Sequence, residues 1–360
     1  MMFDADERIL VFPVDRESIS FIKSTANYPN IRIRHIISPE SWGYGGEIYM
    51  CAGGAVKIHH DFENGLSDCT VVWIVDSWNE IDFKEFIKPV IHLAASKNKR
   101  VICSRSLAKN EKELISNIEI NYIKHSSIKP LVKSSDRIYE IETPIIYVMS
   151  STDFCNQLYI ETALCAELQN RGYNALLLSS RKEFSAFGGH TIPDFMFLNE
   201  LSENEKVIAI NHYIHQLEIK LRPEVIIIGI PGAAMPFNPI RSSDFGLLAN
   251  EISEAVKPDF AILSSPCLLY DDAFFKRVED SLYGRLGVSI DVHSLSLYAL
   301  DILAEKNDLS FISVDNSFVD NIIKQIGYKN LINMNDIAGI SDTVDRLIIK
   351  FSNETSSLIT

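Results

Sequence analysis

Apolar and polar positions in residues 144–360 alternate in blocks, short apolar runs being followed by stretches with helical spacing. The runs predict strands at 145–150, 174–179, 225–230, 259–264 and 311–314. The stretches between and after them predict helices near 157–171, 203–220, 243–256, 272–285, 294–306, 317–326 and 341–352. Gly172 stands where a helix C-cap glycine belongs. This alternation predicts a doubly wound parallel sheet, with ligands at the C-terminal ends of its strands.

The first half repeats the pattern less regularly. ILVFPV (9–14), IRIRHII (31–37), TVVWIVDS (70–77) and RVICSRS (100–106) read as strands, and TVVWIVDS is apolar enough to be buried on both faces. FKEFIKPVIHLAASKNK (83–99) reads as a helix that Pro89 caps or kinks. WGYGGEIYMCAGG (42–54) carries five glycines, which suit either a flexible turn or a close backbone approach to a ligand. Their spacing is not that of a dinucleotide fingerprint. Residues 108–143 are polar and rich in Ser and Lys, as a linker would be. The expected fold is therefore α/β in two domains: a Rossmann-like parallel sheet over 1–107, a linker over 108–143, and a doubly wound parallel sheet over 144–360.

Composition narrows the functional classes. The 360 residues are 46% hydrophobic and 23% charged, an ordinary globular balance for two domains. No apolar run approaches the roughly 18 residues that span a bilayer, so no membrane segment is expected. The start, MMFDADERILVFP, lacks the basic flank and cleavage site of a signal peptide. Six cysteines without a CxxC pair exclude zinc-finger and redox motifs and fit a reducing cytoplasm. Residues 1–143 hold 18 basic and 20 acidic residues, leaving 16 and 28 for the rest. An acidic second half argues against nucleic acid, whose binding rests on Lys and Arg, and suits a basic protein or peptide, although solubility alone also explains it.

Four loops after predicted strands carry the candidate chemistry. VMSSTDFCNQ (148–157) has the strand–turn–helix context of a phosphate loop, which requires G-x-x-x-x-G-K-[ST]. Ser150, Cys155, Asn156 and Gln157 stand in place of both glycines, the lysine and the hydroxyl, and Asp153 adds negative charge. ATP hydrolysis is not expected there. Ser150, Ser151, Thr152 and Asn156 remain candidate binding groups, and Cys155 at the helix start is either a nucleophile or a small residue filling a turn.

In AFGGHTIPDF (186–195), Gly188 and Gly189 would let the chain present His190, with Asp194 following; a structural histidine is the alternative. In VIIIGIPGAAMPFNPIRSSDFG (225–246), Gly229 and Gly232 predict a shaped loop, with Asn238 and Arg241 as binding groups; a tight packing loop is the alternative. The magnesium-organising acid of a hydrolase is replaced by Ile228-Gly229. In LSSPCLLYDD (263–272), Ser264, Ser265 and Cys267 are candidates for the same cleft, while Asp271 and Asp272 suit helix capping. Asp291 and His293 are expected to cap the helix over 294–306. His59-His60-Asp61 looks like a metal cluster, but neighbouring strand residues point to opposite faces. No metal site, cofactor site or catalytic triad is expected.

YVMSSTDFCNQLYIETALCAELQNRGYNA, FGGHTIPDFMF, INHYIHQLEI, PEVIIIGIPGAAMPFN and FGLLANEISEAVKPDFAI together resemble a bacterial group of peptide maturation system proteins, known by gene context. Such proteins are encoded beside a radical-SAM maturase, a short Cys-rich precursor peptide and an acyl-carrier-related protein. The second half is also similar, more distantly, to the phosphate-loop domain of dethiobiotin-synthetase-like proteins; it keeps their glycines at Gly229 and Gly232 and lacks their acid.

The resemblance implies an accessory protein that binds a precursor peptide, the maturase or an acyl-carrier-like partner without hydrolysing ATP. Two alternatives stay open. One is a pathway enzyme acting on a peptide or acyl substrate through Cys155 or His190; the other is a nucleotide binder that does not hydrolyse. A homo-oligomer is compatible with each.

Overall fold

The period-two and period-3.6 blocks form two α/β units in a computed structural model. It describes residues 2–357 except 5, 29–30, 78, 129, 131–136, 153–154, 237–242 and 301–310, with backbone only at 16, 17, 20, 243–244 and 354–357. The first unit comprises residues 1–125 together with Lys182–Gly189; the second comprises Ser126–Arg181 and His190–Thr360.

The first unit is built on strands β1 (Arg8–Phe12), β2 (Arg32–Ile37), β3 (Ile48–Cys51), β4 (Gly54–His59), β5 (Val71–Ile74), β6 (Arg100–Cys103) and β7 (Ile120–Tyr122), in the order β3-β4-β2-β1-β5-β6-β7. All pairs are parallel except β3–β4. The glycine-rich stretch 42–54 therefore supplies an edge hairpin, closed through Ala52-Gly53, with Gly54 at φ 108°. Helices α1 (Arg16–Ser24), α2 (Phe62–Ser67), α3 (Lys88–Ser96) and α4 (Lys109–Glu113) accompany the sheet. Pro89 lies in the first turn of α3, after a wide π-type turn over Phe83–Ile87; its missing N–H is not needed there. The expected linker 108–143 is divided: α4 and β7 belong to the first unit, and the chain from Ser126 to the second.

Residues 182–189 follow a strand of the second unit in sequence yet pack in the first. Phe184 and Phe187 join Tyr28, and Phe187 meets Trp73, which also contacts Phe3 and Phe21. A Cβ on Gly189 would come within 2.0 Å of the Phe184 ring, so close packing against an aromatic explains that glycine.

The second unit has strands β8 (Ile145–Ser150), β9 (Ala175–Ser179), β10 (His190–Thr191), β11 (Val225–Ala233), β12 (Phe260–Ser265) and β13 (Val292–Leu295), all parallel, in the order β10-β9-β11-β8-β12-β13. A separate antiparallel pair joins β14 (Tyr298–Leu300) to β15 (Phe311–Ser313). Helices are α5 (Gln157–Asn170), α6 (Glu203–Leu221), α7 (Leu247–Ala255), α8 (Asp272–Leu286), α9 (Asn316–Ile326) and α10 (Ile337–Ser357). Tyr147, Met149, Leu178, Ile228 and Leu263 face a core shared with Ile210, Ile214, Ile252 and Leu282 of α6, α7 and α8. At the C-cap of α5, Arg171 binds Asp345 and Ser341 of α10.

The expected helix over 294–306 is not formed in its described part, which is β13 and β14. His293 is not a cap: it pairs with Leu263 and is buried, its Nε2 2.9 Å from Glu279 Oε1. Asp291 accepts from the Ala261 N–H across the sheet. Asp271 does cap α8, accepting from the Phe274 N–H at 2.7 Å.

Candidate functional site

In a doubly wound sheet, a crevice opens where two adjacent strands send their chains in opposite directions. In the second unit this happens between β8 and β12. From β8 the chain passes through α5 toward β9, and from β12 through α8 toward β13. Residues 151–152, 155–156 and 266–271 flank the crevice, so the structure brings Ser150, Ser151, Thr152, Cys155 and Asn156 to the same edge as Ser264, Ser265 and Cys267.

Gln157 explains the local shape. Gly229 of β11 pairs with Val148, but the next paired residue, Ala233, lies opposite Ser150, so Ile230-Pro231-Gly232 bulge out of the ladder. Pro231 has no N–H to lose in a bulge, and Gly232 takes φ 72° there. The two N–H groups of the Gln157 carboxamide are shared among the freed Ile230 carbonyl at 2.7 Å, Glu161 Oε1 at 2.9 Å and Val148 O at 3.2 Å. The carboxamide oxygen accepts from the Ser150 hydroxyl at 2.6 Å. The shaped loop expected after 230 thus begins as a strand bulge clamped by α5.

Glu161 is fully buried one turn further along α5. It accepts from Ser179 Oγ (2.7 Å), Ser180 N–H (3.2 Å), Ser180 Oγ (2.6 Å) and Gln157. Burial raises its pKa, while these donors favour the ionised form. A Cβ on Gly229 would lie 2.0 Å from Glu161 Oε1. The position that lacks its own acid is therefore covered by a carboxylate from the neighbouring helix. Sequence reading missed Glu161; its signal is an acid within the apolar stripe of Leu158, Leu164, Cys165 and Leu168.

Asn156 adopts φ 52° and donates to Asn335 Oδ1 at 2.8 Å. Asn335 binds Leu295 O and Asn333, and Asn333 binds Asn316 and Asp320. This carboxamide chain comes from INMND (332–336), another stretch that sequence reading did not single out. Thr152 is 1% exposed and Ser264 fully buried, yet among the described residues neither hydroxyl has a hydrogen-bond partner. Cys155 is buried at 3% exposure, and burial pushes the Cys267 thiol up to about 11. Asn238 and Arg241 lie outside the described residues.

His190 is placed elsewhere. It pairs with Leu178 on edge strand β10, and its Nδ1 lies 3.5 Å from Tyr213 Oη of α6. Burial lowers its pKa, and Lys220 acts in the same direction. Three strand spacings separate β10 from β8, roughly 14 Å. Cys155 and His190 are therefore not brought together, and Gly188 and Gly189 pack with the first unit.

The first unit has its own switch point, between β1 and β5, which sequence reading did not furnish with residues. Asp15 is buried and caps α1, accepting from the Ser18 N–H at 3.1 Å; its other oxygen accepts from the Asn79 N–H at 3.1 Å. Asp76 accepts from Ser106 and pairs with Lys182 at 2.9 Å. One strand away, the buried Ser38 hydroxyl has no partner among the described residues. His59 meets His35, whereas His60 binds Ser38 O, so the two adjacent histidines diverge. Among the described residues no group of three or more His, Cys, Asp or Glu is placed to hold a metal, and no helix is long and apolar enough to cross a membrane.

No protein-family model matches the chain, and neither does any curated protein sequence. A solved structure of a DUF1611 family protein from Anabaena variabilis is similar in fold, with a TM-score of 0.58 at 11% identity. The match covers 94% of this chain and 98% of that one. At this identity the likeness shows the two-domain α/β fold alone. An ADP complex of a nucleotide-binding protein from Archaeoglobus fulgidus matches at a TM-score of 0.29 and 12% identity, over 55% of this chain and 85% of that one. A pseudomurein peptide ligase type C from Methanothermus fervidus matches at 0.27 and 8%, over 91% and 48%. Both scores are too low to bear on the argument.

Proposed function

We propose that the chain is a non-hydrolysing binding component in the maturation of a ribosomally made peptide. Its partner is the precursor peptide, a radical-SAM maturase or an acyl-carrier-like protein, in the cytoplasm. The carrying observation is the Gln157 clamp. Where a nucleotide hydrolase would hold phosphate and magnesium, this carboxamide closes on the protein's own carbonyls and on Glu161. The motif resemblance supports a peptide pathway, and the surplus of 28 acidic over 16 basic residues after Thr143 suits a basic partner.

Reconstituting the cassette with and without this chain, and reading the peptide mass, tests the role. Complete modification only in its presence is expected; identical masses overturn the reading. ATP or GTP with magnesium is expected to leave thermal unfolding unchanged. A bound nucleotide at a hundred times its Kd would instead add about 2.7 kcal/mol.

A further inference from the structure

Helix α6 carries Asn211, His212, His215 and Glu218 at i, i+1, i+4 and i+7, which places them along one face. They meet the backbone of residues 137–143, the end of the expected linker. The Asn211 carboxamide accepts from the Tyr139 N–H at 2.7 Å and donates to the Tyr139 carbonyl at 2.9 Å, as a neighbouring β-strand would. His212 Nε2 donates to Arg137 O at 2.9 Å. Glu218 Oε1 accepts from the N–H groups of Glu142 and Thr143 at 2.9 and 2.8 Å.

Seven helical residues separate Asn211 from Glu218, about 10.5 Å. Residues 139 to 142–143 cover that distance at roughly 3 Å each, so the strap is extended chain. It is fixed mainly through its backbone. Residues 137–140 are exposed, with Ile138 at 46% and Tyr139 at 42%. The Tyr139 ring stacks on His215 at 4.4 Å and 14°. Asn211 is buried and anchored separately to Ala255 O at 2.9 Å.

Main-chain recognition of this kind tolerates many sequences, and the ring stack adds a preference for an aromatic residue. Glu140 and Glu142 line a cavity of about 600 Å³ together with Glu218 and Glu224, with Arg222 and His215 as the basic groups. A segment with basic residues in place of Glu140 and Glu142 would bring positive charge to the lining that holds Glu218 and Glu224.

We propose that this face of α6 is a docking site for an extended, basic peptide segment bearing an aromatic residue, and that residues 137–143 occupy it until the partner displaces them. The proposal deepens the peptide-binding reading above by assigning it a surface.

The probe is a labelled peptide carrying residues 137–144 with lysine in place of Glu140 and Glu142, titrated into the full chain. It is expected to bind about tenfold more tightly than the peptide with the native glutamates, the scale of one or two added opposite-charge contacts, and to weaken with salt. Tyr139→Gly, which loosens the strap, is expected to strengthen binding. Asn211→Ala is expected to abolish it, and Glu218→Gln, which keeps an acceptor but loses the charge, to weaken it. Absence of binding in both the wild type and Tyr139→Gly overturns the proposal, as does binding indifferent to Asn211→Ala and Glu218→Gln. A precursor peptide whose affinity ignores these substitutions would remove this surface and leave the broader binding role standing.

Discussion

The two strand-end crevices of this chain differ in how their buried polar groups are satisfied. In the first unit, Asp15 sits at the start of α1 and binds two backbone N–H groups, and Asp76 is held by Ser106 and Lys182. In the second, Gln157 and Glu161 are fully bonded, but the hydroxyls of Thr152 and Ser264 have no partner among the described residues, as Ser38 has none one strand away from the first crevice. A buried hydroxyl without a partner costs about 1–3 kcal/mol, and such a cost persists in native proteins mostly where it has a use. The first crevice is thus closed by its own charges, whereas the second keeps hydrogen-bonding capacity beside a helix start. The same architecture yields a stabilising seam in one unit and the better candidate site in the other.

The largest expected effect sharpens the closed side of the second crevice. Gly229→Ala would place a methyl group 2.0 Å from the Glu161 carboxylate, with both groups fully enclosed. We expect a loss of about 3 kcal/mol in urea unfolding, the scale of core overpacking around a buried charge. Combined with Glu161→Ala, the loss should be smaller than the sum of the two single changes. Additive losses would mean that Glu161 does not determine the glycine.

The next pair of substitutions can break the comparison itself. Asp15→Ala removes the α1 cap and leaves the Asn79 N–H without its acceptor, so about 2 kcal/mol should be lost. Thr152→Val keeps the shape and removes a hydroxyl that has no partner among the described residues. It is expected to be neutral or to stabilise by up to about 1 kcal/mol. Equal losses in the two variants, measured by the same unfolding experiment, would erase the distinction between the crevices.

How much of this was legible in the sequence follows from what each feature requires. Strands such as IIYVMS and VVWI, and the helix ending before Gly172, are fixed by local periodicity and were readable. The stretch 290–300 was not, because its apolar positions fit both periods; pairing of His293 with Leu263 decides for a strand. Phe184 and Phe187 announce burial, but nothing local tells which unit receives them. The strand–turn–helix context at Ser150–Gln157 was readable as a site. Its working parts were not, since Glu161 gains meaning only from Ser179, Ser180 and Gly229, which other strands bring to it. The Asn211 contact with Tyr139 likewise depends on where the linker comes to lie.

The smallest expected effect extends the comparison to buried carboxylates. Asp15 has donors on both oxygens, but Glu251 of α7 leaves Oε2 without a hydrogen-bond partner among the described residues, its other oxygen lying 3.9 Å from Lys206 Nζ. Burial raises the Glu251 pKa to about 7, and Glu203 adds to the rise while Lys206 opposes it. A carboxyl raised in the folded state contributes stability that is complete below its unfolded value, near 4.5, and is lost as pH rises toward 7. Glu251→Gln removes that titration, so the variant should gain on the wild type across this window. The gain should reach about 1 kcal/mol once solvent screening is allowed for. Unfolding at pH 4.5 and pH 8 would show it, and a wild-type–variant difference that does not change with pH would place the Glu251 carboxylate among the satisfied groups, beside Asp15.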